Sequence, residues 1–132
     1  MSGLNPARVA REFPTRYRLE AARCEKCGAI AYPARLVCPA CRGRSFAKVT
    51  LPPDGKVVAL TTIHVPPADF KLVAPYVLAI VELSNGVKLT CQIADVDPTT
   101  VTTGMPVRLE FRRILEDGEA GVIAYGHKAV PA

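Results

Sequence analysis

The chain has 132 residues, a formal net charge of +5 and a mean hydropathy of +0.18, which fits one ordinary domain or a small metal-stapled module beside a compact core. Arg8, Arg11, Glu12, Arg16, Arg18 and Glu20 crowd the first twenty residues and no apolar run of about 18 residues follows, so the sequence predicts a cytoplasmic protein with no leader and no membrane span. Residues 1–50 hold ten Lys/Arg against three Glu, while residues 51–132 hold seven against nine Asp/Glu; a cationic front of this kind can meet nucleic acid, a phosphorylated cofactor or an acidic protein.

Asn5-Pro6 reads as an N-cap with proline at the first helical position, and Ala7 to Phe13 can continue as two turns until Pro14 ends or kinks the run. Val9, Phe13 and Tyr17 make an apolar stripe too narrow to support an isolated helix, so this segment needs something to dock on. Next come Cys24-Glu-Lys-Cys27 and Cys38-Pro-Ala-Cys41, two C-x-x-C pairs ten residues apart. A two-residue spacer lets a tight turn aim both sulfurs at one point, and Gly28 and Gly43 follow where such a knuckle tolerates positive φ. Four thiolates fill a tetrahedral shell and leave no open position, so Cys24, Cys27, Cys38 and Cys41 predict a structural metal. Disulfides would suit a secreted chain instead. Iron is the rival ion, because the knuckles look like those of rubredoxin, but the ten-residue insert is far shorter than rubredoxin's and favours zinc. Tyr32-Pro-Ala-Arg35 reads as an extended segment between the knuckles.

Leu51-Pro-Pro-Asp-Gly55 is a boundary, since two prolines and Asp-Gly cannot continue a regular element. Beyond it the pattern is β: Lys56 to Val65, Tyr76 to Leu83, Val87 to Ile93, Met105 to Leu115 and Val122 to Val130. Ser84-Asn-Gly86 predicts a hairpin with a type I′ turn, and Glu116-Asp-Gly-Glu119 predicts another turn. In the fourth run, Val107, Leu109 and Phe111 alternate with Arg108, Glu110 and Arg112, which predicts a buried and an exposed face. Pro98 and the neighbouring threonines disfavour a helix between Ala94 and Gly104, leaving a loop or a single turn. The fold class is therefore mainly β: an N-terminal helical segment (1–17), a rubredoxin-like zinc ribbon (18–50) and a five-stranded OB-fold barrel (51–132).

The catalytic inventory is thin. Only His64 and His127 occur as histidines, neither near a Ser or Cys in sequence, and no phosphate-cradling glycine motif is present. Asp95 and Asp97 can be read as an acid pair or as turn residues, and Cys91, within an apolar run, reads as a small buried hydrophobe. The segment from His64 to Tyr76 places Phe70, Lys71 and Tyr76 among prolines, two rings and a cation able to hold a planar base or a pantetheine arm while Lys71 meets phosphate.

Tyr17-Arg-Leu-Glu-Ala-Ala-Arg-Cys24-x-x-Cys27-Gly, Tyr32-Pro-Ala-Arg35-x-x-Cys38-Pro-x-Cys41 and Pro75-Tyr76-x-x-Ala-x-Val-Glu-Leu83-x-x-Gly86 together resemble the DUF35 family. The resemblance implies an N-terminal helix, a zinc ribbon ligated by the four cysteines, and an OB-fold. It also implies a non-catalytic accessory subunit of a thiolase-superfamily enzyme, similar to the small subunit of benzoylsuccinyl-CoA thiolase, with acyl-CoA as the shared substrate. Phe70, Lys71, Tyr76, Arg112 and Arg113 are then the candidate contacts to coenzyme A, the arginines by charge. The alternative is a single-stranded nucleic-acid binder, against which stand the eight aromatics and the lack of an expected series of exposed rings on the barrel strands.

Overall fold

The computed structural model describes residues 5–116 and 123–132. Asn5 starts helix α1 (Pro6–Arg18): its Oδ1 accepts the amides of Ala7 at 3.0 Å and Arg8 at 3.4 Å, two of the donors that a helix start leaves without partners. Of the two outcomes expected at Pro14, an end or a kink, the end does not occur: α1 runs through it to Arg18. Proline there removes one backbone bond and crowds the preceding turn. Tertiary contact compensates, since the Tyr17 ring packs edge-on against Phe111 with centroids 5.0 Å apart. Leu19 closes the helix in the left-handed region at φ 52°, its amide donating to the Thr15 carbonyl. A leucine is disfavoured in that region, and burial of its side chain in the core holds it there.

Three short strands follow, β1 (Glu20–Cys24), β2 (Ile30–Ala31) and β3 (Phe46–Thr50), forming an antiparallel sheet in the order β2-β1-β3. The remaining strands are β4 (Asp54–Ile63), β5 (Tyr76–Leu83), β6 (Lys88–Ile93), β7 (Pro106–Glu116) and β8 (Ile123–Pro131). They close a barrel in the order β4-β5-β6-β8-β7, with β6 and β8 parallel and the other pairs antiparallel. All five expected strands are present. The link from Ala94 to Gly104 holds only a single 3-10 turn (Pro98–Thr100), capped by Asp97, whose carboxylate accepts from the Thr99 amide at 3.0 Å. The turn expected at 116–119 falls largely on residues outside those described.

Two local expectations are corrected. The β5–β6 hairpin is real, but Gly86 alone takes a positive φ (88°), and the bonds Gly86 N–H to Leu83 O (2.9 Å) and Leu83 N–H to Val87 O (2.8 Å) make a three-residue loop instead of a type I′ turn. In β7, Val107 and Leu109 are buried as expected, yet Phe111 is 48% exposed. The alternation is right and the barrel is shorter than the strand: β4 pairs with β7 only over Pro106–Arg108, so Phe111 lies on the inner face of a β7–β8 extension that α1 covers.

One apolar core crosses the whole molecule. Leu19, Ala21 and Leu51, from the ribbon and the boundary segment, pack in the same cluster as Val57, Val77, Val81, Leu83 and Val107 of the barrel. The ribbon is thus not a module set apart from the barrel.

Candidate metal centre and cavity

The two knuckles repeat one local fold. Gly28 donates to the Cys24 carbonyl at 2.9 Å and Arg42 donates to the Cys38 carbonyl at 2.8 Å, so each turn closes four residues after its first cysteine. The positive φ falls at those closing positions, 81° at Gly28 and 63° at Arg42. Gly43, which the sequence reading assigned that role, has none. It provides room instead: a Cβ there would sit 3.2 Å from Cys41 Sγ and 3.3 Å from Cys24 Sγ. The Gly43 carbonyl accepts from the Cys38 amide at 2.8 Å, and the Glu25 amide bonds the Ser45 carbonyl at 2.9 Å, stapling the knuckles to the strand that follows.

The four sulfurs of Cys24, Cys27, Cys38 and Cys41 lie within 4.8 Å of one another, with Cys24–Cys41 and Cys27–Cys38 each at 3.5 Å. A tetrahedron with metal–sulfur bonds of about 2.3 Å has edges of about 3.8 Å, so the set fits a single ion. Backbone amides prepare it: those of Cys27 and Cys41 hold the Cys24 and Cys38 thiols below their ordinary range, Cys38 at about 6. At Cys27 the Ala29 amide favours the thiolate, but the crowding sulfurs of Cys41 and Cys38 push the thiol up to about 12. Sulfurs that compete for protons in this way are relieved when a divalent cation takes the protons' place.

A second feature lies under α1. A cavity of about 660 Å³ is walled by Val9, Phe13 and Tyr17 of the helix, Tyr32 of the ribbon, Phe70 from the β4–β5 connection, Tyr76 at the start of β5, and Tyr125 and His127 of β8. The rings pack on each other: Phe13–Tyr17 at 5.2 Å, Phe70–Tyr76 at 5.9 Å, and Phe111 stacked on Tyr125 at 5.4 Å with planes 10° apart. Phe111 and Tyr125 are therefore exposed rings on the barrel strands, contrary to expectation, but they cover one another. His127 meets Phe111 edge-on at 5.8 Å. Burial lowers its pKa, opposed by the backbone of Arg16 and the Glu110 carboxylate, and its Nδ1 is buried without a hydrogen-bond partner.

Of the five residues assigned to coenzyme A from sequence, Phe70 and Tyr76 are brought together at the cavity wall. Lys71 is exposed on the adjacent 3-10 turn (Ala68–Val73). Arg112 makes a two-pronged ion pair with Asp95, and Arg113 stands on the opposite face of β7, opposite Tyr125 in register. Asp95 and Asp97 thus serve an ion pair and a turn. Cys91 is 8% exposed and burial pushes its thiol up to about 11, the state of an inert core residue. Among the described residues no helix is long and apolar enough to cross a membrane. Sequence reasoning missed Tyr17, Tyr125 and His127 as cavity residues; the signal available was the period-two face Tyr125, His127, Ala129 of β8.

A rubredoxin-like knuckle pair on a three-stranded ribbon, feeding a closed five-stranded OB barrel, defines a two-part zinc-ribbon and OB-fold protein. Residues 11–47 match the model of the ChsH2 rubredoxin-like zinc ribbon domain and residues 48–112 that of the ChsH2 C-terminal OB-fold domain. The chain belongs to the DUF35 family. It is 46% identical over 122 residues to a DUF35 domain-containing scaffold protein of Methanocaldococcus jannaschii, covering 92% of this chain and 86% of that one. It is 29% identical over 75 residues to the benzoylsuccinyl-CoA thiolase subunit BbsA of Thauera aromatica, covering 57% and 51%. A solved structure, the Ltp2-ChsH2(DUF35) aldolase, superposes with a TM-score of 0.72 at 26% identity over 99% of this chain and 98% of that one.

Proposed function

We propose that this protein is a non-catalytic accessory subunit that docks on a thiolase-fold enzyme in the cytoplasm and helps hold the CoA part of an acyl-CoA substrate, with zinc as the ion in its four-sulfur site. The observation that carries the reading is the full-length likeness to a chain of an aldolase complex, joined to the 46% identity with a DUF35 scaffold protein. The chemistry of the chain agrees with it. Four of its five thiols converge on one metal position and the fifth is buried with its thiol pushed up to about 11, so the reading takes a thiolate nucleophile from the partner.

The proposed CoA contacts are Phe70, Lys71, Tyr76, Arg112 and Arg113. Lys71 is the cation placed beside the Phe70–Tyr76 ring pair, and a phosphate approaching Arg112 has to compete with Asp95. The same 3-10 turn exposes Leu72 at 99%, with Val65 just before it at 91%, an apolar surface suited to a protein partner.

The test is reconstitution with the thiolase-superfamily enzymes of the native organism. A stable hetero-complex is expected, and in it Lys71→Glu raises the KM for acyl-CoA more than it lowers kcat. Steady turnover of acyl-CoA by the isolated chain, or a partner fully active without it, overturns the proposal. Single-stranded RNA or DNA binding that falls steeply with salt points instead to the nucleic-acid alternative.

A further inference from the structure

We propose that Cys27 is the oxidation site of the ribbon: a hydroperoxide joins it to Cys38 in a disulfide across the two knuckles, the metal is lost, and the loosened ribbon is felt in the barrel. This goes beyond the accessory-subunit reading and does not depend on acyl-CoA; it needs only a metal-loaded four-sulfur site.

Three observations carry it. Cys27 is the one exposed residue of the four, Cys41 is half-buried, and Cys24 and Cys38 are each 1% exposed. An oxidant from solvent therefore meets the site at Cys27. The second observation concerns the charge each sulfur keeps. Metal ligation holds all four deprotonated, and a thiolate whose charge is drawn on by donors is the weaker nucleophile. The amides of Cys27 and Lys26 act on Cys24 and those of Cys41 and Ala40 on Cys38, whereas at Cys27 the Ala29 amide is set against the crowding sulfurs of Cys41 and Cys38. The third is proximity: Cys38 Sγ lies 3.5 Å from Cys27 Sγ, so a second thiolate stands beside the first.

The Cys27 thiolate attacks one peroxide oxygen, the O–O bond breaks and hydroxide leaves, giving a sulfenic acid. The Cys38 thiolate then attacks that sulfur, an S–S bond forms, the S–O bond breaks and a second hydroxide leaves. Two thiolates have lost two electrons and the peroxide has gained them. Lys26 and Arg42, exposed beside the knuckles, favour a reaction that releases hydroxide. With two ligands spent, the set no longer closes a tetrahedral shell. Cys24 ends β1, and Ala21 of the same strand packs in one cluster with Val57 and Val81, so the opening is transmitted to the barrel core.

Ion release and disulfide mapping test this on the full, zinc-loaded chain treated with hydrogen peroxide. A chromophoric chelator should register the ion leaving, and mass spectrometry after alkylation of the remaining thiols should find the Cys27–Cys38 linkage first. Trypsin, cutting after Lys26 and Arg35, places those two cysteines on separate peptides. Dithiothreitol with added zinc should restore the loaded form. Release is expected to slow roughly ten-fold in Cys27→His, which keeps a ligand for the ion but removes the exposed thiolate, and to change little in Cys41→His. If either variant loads no ion, the mapping in the unaltered chain decides. An ion retained under peroxide, a first linkage within one knuckle, or equal slowing in the two variants overturns the proposal. A chain that takes up no metal overturns it together with the zinc assignment, while the acyl-CoA reading survives all of these outcomes.

Discussion

At the scale of single residues, the knuckles separate two properties that both favour glycine. Gly28 supplies a left-handed φ, Gly43 supplies space, and the left-handed position of the second knuckle is occupied by Arg42. Gly43→Ala is therefore expected to weaken metal binding roughly ten-fold or more, because its methyl must push on the sulfurs of Cys41 and Cys24, whereas Arg42→Gly should keep the affinity and change stability by less than about 1 kcal/mol. Competition against a chromophoric chelator reads both, and equal losses would show that the crowding at Gly43 is unimportant. Leu109 and Phe111 make a similar contrast within β7. Leu109, 5% exposed, should cost about 2–5 kcal/mol on truncation to Ala, while Phe111 should cost about 1 kcal/mol, measured by chemical denaturation. The convergence of the four thiols and the burial of Cys91 were legible because thiol spacing and an apolar neighbourhood are local signals. Arg42 was not, since only the repeat of the hydrogen bonds to the Cys24 and Cys38 carbonyls shows that its position, and not Gly43, is the counterpart of Gly28.

At the scale of elements, strands were read more surely than the helix. Tyr76–Leu83 matches the sequence expectation residue for residue, because the run is apolar up to Glu82 and ends at the Asn85-Gly86 turn signal, whereas the burial of Val77, Ala79, Val81 and Leu83 beside an exposed Ile80 is decided by packing and not by alternation in the sequence. The continuation of α1 past Pro14 depends on Tyr17 meeting Phe111, nearly a hundred positions away, which no local pattern encodes. The same distance hides the cavity, whose walls come from α1, the ribbon, the 3-10 turn before β5 and the strands β5, β6, β7 and β8. Docking of α1 should be sensitive to acid. Burial holds the His127 pKa below its ordinary 6.5, against the pull of the Arg16 backbone and Glu110, so the neutral ring is the form the fold prefers. Its contribution is fully present above about 6.5 and is lost as the pH falls from there through the lower folded value. Wild type should accordingly lose more Tm between pH 7 and 5 than His127→Phe does, the comparison cancelling effects of acid on the metal site; identical losses would place the acid sensitivity elsewhere. Deleting residues 1–16 should weaken assembly with the partner while circular dichroism still reports a folded barrel, since no α1 side chain is fully buried.

At the scale of the whole molecule, the shared core decides how metal loss is felt. From sequence, the ribbon and the barrel read as separable, since Leu51-Pro-Pro-Asp-Gly55 looks like a linker. In the structure Leu51 is 2% exposed and its amide donates to the Leu19 carbonyl at 2.9 Å, so the apparent linker ties α1, the ribbon and the barrel together. Cys38→Ser, or treatment with a strong chelator, opens the knuckles and frees β1 and β3, and with them Leu19 and Ala21, which cap the barrel core. Removing apolar surface of that kind costs about 25 cal/mol for each Å² exposed again, so the barrel cannot keep its full stability. Metal removal is thus expected to lower the melting temperature of the barrel as well as unfolding the ribbon, seen as a downward shift of the β-sheet transition in circular dichroism alongside release of about one metal ion per chain. A barrel transition that stays at the metal-loaded temperature after the ion has left would show that the ribbon is a separate module and that the common core contributes nothing across the boundary.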